Sequence, residues 1–381
     1  MRLIKRAYKK LNKKKAKDEH EPDKKLIYSL FVLIIFGLVM LASTSAYLAY
    51  TKFQNSYAYI QGQLIATSIG LVFFYIVSKT NYQKWKRNAI YFLLASILLL
   101  VLVFIPGLSA GHGSAKSWII IFGQSLQPAE FVKISFLIYL AAWLQLRHKA
   151  VKTMSQGLIP FLFIFAFISV LLFMQPDLGT WSIIALSSMV VYFVGGANIK
   201  HIIVLFLIAF VAVYSMVTYT DYQKDRFACL KDPSFDTQEK CYQVNQSLMA
   251  VGSGGLWGQG LGESRQKYSY LPEVSGDAIF PIISEEVGFI FSSALIFLYA
   301  YIFYRGWLIA LKAKDMFGRL LAVGIVSWIF FQAFLNIGGM LNLIPMTGVP
   351  LPFISAGGSA MLSGLIAMGI LVNISRYTIK D

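Results

Sequence analysis

The densest set of side chains able to do chemistry lies between Gly252 and Phe280, where the chain reads GSGGLWGQGLGESRQKYSYLPEVSGDAIF. Six glycines precede Arg265, and Lys267, Tyr268, Tyr270 and Asp277 follow it. Glycines let a backbone approach another surface closely. A guanidinium and an ammonium suit a lipid phosphate or pyrophosphate. A carboxylate twelve residues beyond the arginine can supply a base. The glycine pattern resembles a nucleotide loop only superficially, because no strand is predicted before it and no Walker lysine follows.

Two further segments carry polar groups. Met346 to Ser359 is rich in Gly and Pro and holds Ser355 and Ser359, while Ser114 to Ile119 sets Lys116 beside Trp118. Together with the first segment they would offer an anionic, sugar-bearing lipid cations, hydroxyls, an indole and a carboxylate. Ordinary interfacial turns, with Trp118 in an aromatic belt, would read the same way. Ionisable groups inside apolar stretches are few. Glu130 and Lys133 stand three apart, at a spacing that pairs them on one helix face, either to fasten helices or to line a cavity. Asp177, in Gln175-Pro176-Asp177-Leu178-Gly179-Thr180, can cap the following helix or serve a polar cavity. Glu285 and Glu286 open another apolar stretch, where a first-turn carboxylate complements the helix dipole.

The elements that must position these groups follow from composition. The 381 residues are 57% hydrophobic and 14% charged, with a mean hydropathy of +0.63. Soluble domains carry about 25% charged residues. The fold class is therefore an all-α polytopic membrane protein, which excludes disordered, collagenous and disulfide-stapled classes. Apolar runs predict about ten transmembrane helices, near 26–49, 61–78, 88–106, 128–145, 157–175, 178–196, 201–219, 281–303, 318–341 and 357–375. Residues 1–25 form a basic tail with eleven Lys or Arg against four acids, including Lys13, Lys14, Lys15 and Lys17. No cleavable leader is expected.

Placing that tail in the cytoplasm puts Lys79, Lys84, Lys86 and Arg87 there, and likewise Arg147, Lys149 and Lys152, as the positive-inside rule requires. Both termini are then cytoplasmic, with 377–381 as a short C-terminal tail of the single membrane domain 26–376. The large segment 220–280 faces outward with six basic and eight acidic residues. The net charge of +16 is thus a topology signal, and no nucleic-acid partner is expected. Cys229 and Cys241, the only cysteines, both fall in the outer segment, where a disulfide is expected and no zinc site is.

Several segments, taken in order, resemble the SEDS family of FtsW and RodA proteins. They are Ala115-Lys116-Ser117-Trp118, Gln127-Pro128-Ala129-Glu130 with Lys133, Gln175 to Thr180, Gln246-Ser247, Gly252 to Phe280, Glu285-Glu286, Asn336-Ile337-Gly338 and Pro350 to Ser359. The resemblance covers residues 26 to 376. It implies polymerisation of the lipid-linked precursor lipid II into peptidoglycan at the outer face of the bacterial cytoplasmic membrane, in division or elongation.

The resemblance also implies a class B penicillin-binding protein as transpeptidase partner, among other divisome or elongasome membrane proteins. Asp277 becomes the expected catalytic base, with an ordinary carboxyl pKa of about 4. Lys116, Trp118, Gln127, Glu130, Lys133, Gln175, Asp177, Arg265, Lys267, Ser355 and Ser359 become the expected substrate-binding set. No cofactor or metal is expected to be tightly held, although magnesium or manganese could share the work at the pyrophosphate. Where the family commonly has Thr-Asp-Phe-Ile-Phe-Ala, this chain has Gly276-Asp277-Ala278-Ile279-Phe280-Pro281, and Ala356 replaces a tyrosine. The basic tail and the wording of the outer segment favour the FtsW-like branch. A lipid II flippase and a non-catalytic scaffold are the rival readings, and a flippase would need polar groups reaching both membrane faces.

Overall fold

The computed structural model describes residues 19–105, 109–112, 115–121 and 124–379. Lys13 to Lys17 lie outside the described residues. All ten expected apolar stretches are helices: α1 (Lys24–Phe53), α2 (Ala58–Lys79), α4 (Ala89–Leu102), α5 (Pro128–Leu146), α6 (Ile159–Met174), α7 (Leu178–Val194), α8 (Ile199–Tyr219), α11 (Ile279–Leu311), α12 (Met316–Met340) and α13 (Gly358–Ser375). A short α3 (Gln83–Arg87) precedes α4. Eight of the ten are long and apolar enough to cross a membrane, and α4 and α7 are shorter apolar helices. The protein is a polytopic helical membrane protein.

Two features depart from the expectation of a purely helical chain with a loop over 220–280. Between α4 and α5 lie three antiparallel strands, β1 (Ser109–His112), β2 (Ala115–Ile121) and β3 (Gln124–Leu126), in the order β1-β2-β3. The β-branched run Ile119-Ile120-Ile121 pairs with Leu126, Ser125 and Gln124, a composition that suits a pleated surface. The segment 220–280 also contains α9 (Asp221–Lys231) and α10 (Tyr242–Ser253).

Burial ranks the helices. In α12, 83% of the apolar window is buried, and in α13 78%, so these two form the middle of the bundle. Helix α8 is its opposite, with 11% buried, and turns most of its apolar surface outward. Helix α13 lies against α2 so closely that a Cβ on Gly369 would come within 2.9 Å of the Phe74 carbonyl oxygen. Small residues permit such contact between membrane helices, where packing rather than water drives association. Asp23 caps α1, its Oδ1 accepting from the Leu26 N–H at 2.9 Å, while its other oxygen pairs with Arg305 near the far end of α11.

Helix α11 is broken. Gly288 has φ 76° and ψ −178°, a conformation essentially reserved for glycine. A break inside a membrane protein must have its freed backbone groups satisfied by other protein groups. The glycine-rich segment does this: Gln259 and Gly260 N–H donate to the carbonyls of Glu285 and Glu286 at 2.9 and 3.0 Å. In return, Phe289 and Ile290 N–H donate to the carbonyls of Gly255 and Leu256 at 2.9 and 3.2 Å. A Cβ on Gly288 would lie 2.2 Å from the Gly258 nitrogen. The glycines at 254–260 thus admit a helix backbone rather than a lipid surface. Gly288→Ala should lose about 3 kcal/mol or more through backbone strain plus that clash, read as a lowered melting temperature of the purified protein.

Candidate functional site

Asp277 ends the loop before α11 and is fixed by its backbone. Its carbonyl accepts from Asn336 Nδ2 of α12 at 2.7 Å, and the same amide donates to the Val349 carbonyl at 2.8 Å. Ala356 N–H donates to the Ser275 carbonyl at 2.8 Å. Asn336 therefore holds the Asp277 loop against the segment 341–357 that leads into α13. Gly348 turns the chain there with φ 69°, a conformation that favours glycine, and a Cβ on it would be in ordinary contact with Asp277 Oδ2 at 3.7 Å and Arg226 Nη2 at 3.8 Å, which places both side chains beside that turn. Arg226, on α9, also donates to the Met346 carbonyl.

Around this carboxylate several buried polar atoms have no hydrogen-bond partner among the described residues. They include Asp277 Oδ1, Asn336 Oδ1 and Thr347 Oγ1, and, toward α7, Asp177 Oδ2 and Gln175 Oε1. The two groups meet at the 341–357 segment, for a Cβ on Gly179 would touch the Thr347 carbonyl oxygen at 2.6 Å. Buried polar atoms are normally paired, so such a set marks a place where a polar ligand can supply the missing partners.

Asp277 does not keep the ordinary carboxyl pKa. Burial pushes it up to about 6, the negative charge of Glu273 adds to the rise, and Arg226 and backbone N–H groups pull it back. The carboxyl is half-buried rather than on a wet loop, which is why the expected value of about 4 fails.

The remaining predicted residues divide. Asp177 Oδ1 caps α7, accepting from Thr180 N–H at 2.9 Å. The Gln175 side-chain amide donates to the Leu100 carbonyl at 3.2 Å, and the main-chain carbonyl of Gln175 accepts from Ser117 Oγ at 3.3 Å. Gln127 N–H donates to Ser359 Oγ at 3.0 Å, and Ser355 Oγ accepts from Leu351 N–H at 2.8 Å, so these two serines shape the polar segment. Trp118 is half-buried on β2. Lys116 belongs to the same strand, but its side chain lies outside the described residues.

Two lysines of the expected substrate-binding set are held in buried ion pairs. Lys133 lies 2.7 Å from Glu130, donates to Gln332 Oε1 at 2.8 Å and sits 4.9 Å from the centre of the Trp328 ring. Glu130 accepts from Ser363 Oγ at 3.0 Å. Lys267 pairs with Glu286 at 2.9 Å and donates to the Gly262 carbonyl at 2.6 Å. Arg265 is exposed, and its main-chain N–H donates to Glu285 Oε1 at 3.0 Å.

Glu285 and Glu286 correct another expectation. Because α11 begins at Ile279 and breaks at Gly288, they stand in the last turn of a short helix, where the dipole disfavours carboxylates. Ser264 Oγ at 2.5 Å, with Arg265 and Gln266 N–H, satisfies Glu285. Lys267 and Ser43 satisfy Glu286. These carboxylates anchor the loop that carries Asp277.

Arg226, Asn336, Gln332 and Glu273 were missed as site residues. The signal for Arg226 was available, since it is a cation within the segment 220–280 that also carries Asp277. Cys229 and Cys241 form a disulfide that ties the end of α9 to the start of α10.

A bundle of apolar helices with a set of buried, incompletely paired polar groups around the 341–357 segment defines a multi-pass membrane protein. Residues 23–380 match the family model described as cell cycle protein, FtsW/RodA/SpoVE, and the chain belongs to that family. It is 38% identical to stage V sporulation protein E of Bacillus subtilis, over 94% of this chain and 98% of that one. It is also 35% identical to the probable peptidoglycan glycosyltransferase FtsW of Geobacter metallireducens, over 91% and 94%. Among solved structures, the rod shape determining protein RodA of Thermus thermophilus superposes with a TM-score of 0.69 at 23% identity, covering 94% of this chain and 98% of that one. A chain from work on coordination of polymerization and crosslinking by a peptidoglycan synthase complex gives 0.77 at 24%, covering 94% and 99%.

Proposed function

We propose that this protein is a peptidoglycan polymerase acting at the outer face of the bacterial cytoplasmic membrane, in division or elongation. The observation that carries the reading is the Asp277 carboxyl, half-buried, raised to about 6 and left with one unpaired oxygen among other unpaired polar atoms. A base must be ionised near neutral pH yet basic enough to accept a proton, and a pKa near 6 meets both needs. The acceptor sugar hydroxyl of lipid II gives its proton to Asp277 as its oxygen bonds to the donor's anomeric carbon. The bond from that carbon to the polyprenyl pyrophosphate breaks, and the pyrophosphate leaves with the electron pair.

Arg226 is the cation nearest to hand for that charge, with Arg265 and Lys116 as further candidates. Lys133 and Lys267 act by positioning, through Gln332 and Glu286. No three His, Cys, Asp or Glu side chains cluster among the described residues. With Asp277 left free as the base, magnesium or manganese would have Glu273 as a neighbouring carboxylate and would supply charge neutralisation at the pyrophosphate.

Support for the partner comes from the solved synthase complex, whose two activities are polymerization and crosslinking. We expect a class B penicillin-binding protein in that role. The purified protein with its partner, given lipid II, should produce glycan strands resolvable on a gel. Lipid II crossing vesicle membranes with no strand formed would favour a flippase instead.

The pH profile provides a finer test. Arg226 lowers the Asp277 pKa, so Arg226→Gln should move the acid limb of the rate profile above pH ~6. Glu273 raises it, so Glu273→Gln should move the limb down. Shifts of equal sign in both variants would remove Asp277 as the titrating group.

A further inference from the structure

Helix α10 has two faces. Val244, Ser247 and Ala250 are buried, and Cys241 and Val244 join a small core with Leu271, Val274, Ala278, Ile282, Met340 and Met346, next to the Asp277 loop. Tyr242, Asn245, Gln246 and Met249 follow helical spacing on the opposite face. With Thr237 and Gln238 from the preceding turn, they line an open cavity of about 460 Å³. Small-ligand sites span roughly 300–1,000 Å³.

The lining chemistry is selective. No lining residue carries a formal charge, so nothing in the cavity recognises a pyrophosphate or a peptide carboxylate. Three carboxamides, a threonine hydroxyl and a phenol offer donors and acceptors in both directions. The Tyr242 ring and the Met249 thioether offer apolar surface for the C–H face of a pyranose and for an acetamido methyl. Asn245 Nδ2 is already bound to the Pro233 and Cys241 carbonyls at 2.7 and 3.0 Å, which ties the turn to the helix and leaves its oxygen available. The Cys229–Cys241 disulfide holds the base of the helix one residue before Tyr242. The cavity is therefore braced from two sides.

We infer that this face of α10 is a saccharide subsite that holds the growing, N-acetylated glycan strand beyond the reacting end. The inference rests on the polymerase reading for its biological meaning, but not for its test. The full chain in lipid nanodiscs is titrated with chitotetraose, and saturation transfer to the acetamido methyl groups is followed by NMR. Transfer is expected in the parent protein and equally in Asp277→Asn, since the subsite needs no catalysis. The double variant Tyr242→Ala/Gln246→Ala, with its disulfide verified by mass, should bind at least ten-fold more weakly and release shorter strands from lipid II.

Undiminished binding by the double variant would overturn the proposal, as would absence of transfer at millimolar chitotetraose. A penicillin-binding ectodomain that binds this face and is not displaced by the sugar would overturn it too, by making the cavity a protein interface. Loss of the polymerase reading shows differently, as unchanged polymerisation in Asp277→Asn beside intact sugar binding.

Discussion

Asp277→Asn should insert, fold and bind its partner, yet polymerise lipid II slower by about 10²-fold or more, the scale of lost acid–base assistance. The structure makes this substitution cleaner than most. Asn336 and the 341–357 segment hold the loop through main-chain groups, the Asp277, Ser275 and Val349 carbonyls, so the side-chain change leaves the scaffold's hydrogen bonds in place. Burial disfavours the charged carboxylate, so a neutral amide of equal size should maintain or slightly raise thermal stability. The parent rate should fall about ten-fold per pH unit below 6, and the variant's residual rate should lose that limb. A well-folded Asp277→Asn protein with near-normal polymerisation would remove the assignment and turn attention to Asp177.

Lys133→Met should destabilise the protein by about 3–5 kcal/mol, the range for stranding one partner of a buried ion pair. That corresponds to a drop in melting temperature on the order of 10 °C. Glu130 would keep Ser363 as a donor but lose its cation inside the bundle. Exchanging the two charges should not restore stability. Gln332 presents its oxygen to position 133, because Trp328 Nε1 donates to that oxygen at 2.8 Å while Gln332 Nε2 donates to the Pro350 carbonyl at 2.9 Å. A carboxylate at 133 would therefore face a carbonyl oxygen held in place from both sides. The same network reaches the 341–357 segment, so loss of polymerisation should accompany loss of stability. A charge-exchanged protein with a parental melting temperature would show that the pair tolerates either polarity.

Much of the architecture was determined by the sequence alone. The ten apolar stretches near-coincide with the helices because apolar length and backbone satisfaction leave a membrane chain few alternatives, and boundaries moved by only a few residues except at the far end of α11. Asp177 as a cap and Glu130 with Lys133 as a pair were equally legible, since both depend on local helical spacing. Asp277 was singled out by a carboxylate's place after a cationic, glycine-rich stretch, and by resemblance.

Tertiary structure alone decided which charges are available. Lys267 looked like a phosphate ligand because it follows Arg265 in a glycine-rich stretch, whereas its partner Glu286 belongs to a helix reached through the fold. Glu285 and Glu286 looked like first-turn residues because the break at Gly288 is a backbone conformation, made tolerable only by the glycine segment that returns to satisfy it. The environment of Asp277 depends on Arg226, 51 positions earlier, on Asn336, 59 positions later, and on the turn at Gly348. Local patterns encode propensities and pairs within a few residues of one another. The pKa of Asp277 is instead raised chiefly by burial, which only chain folding produces, with the nearby Glu273 adding to the rise and the distant Arg226 opposing it.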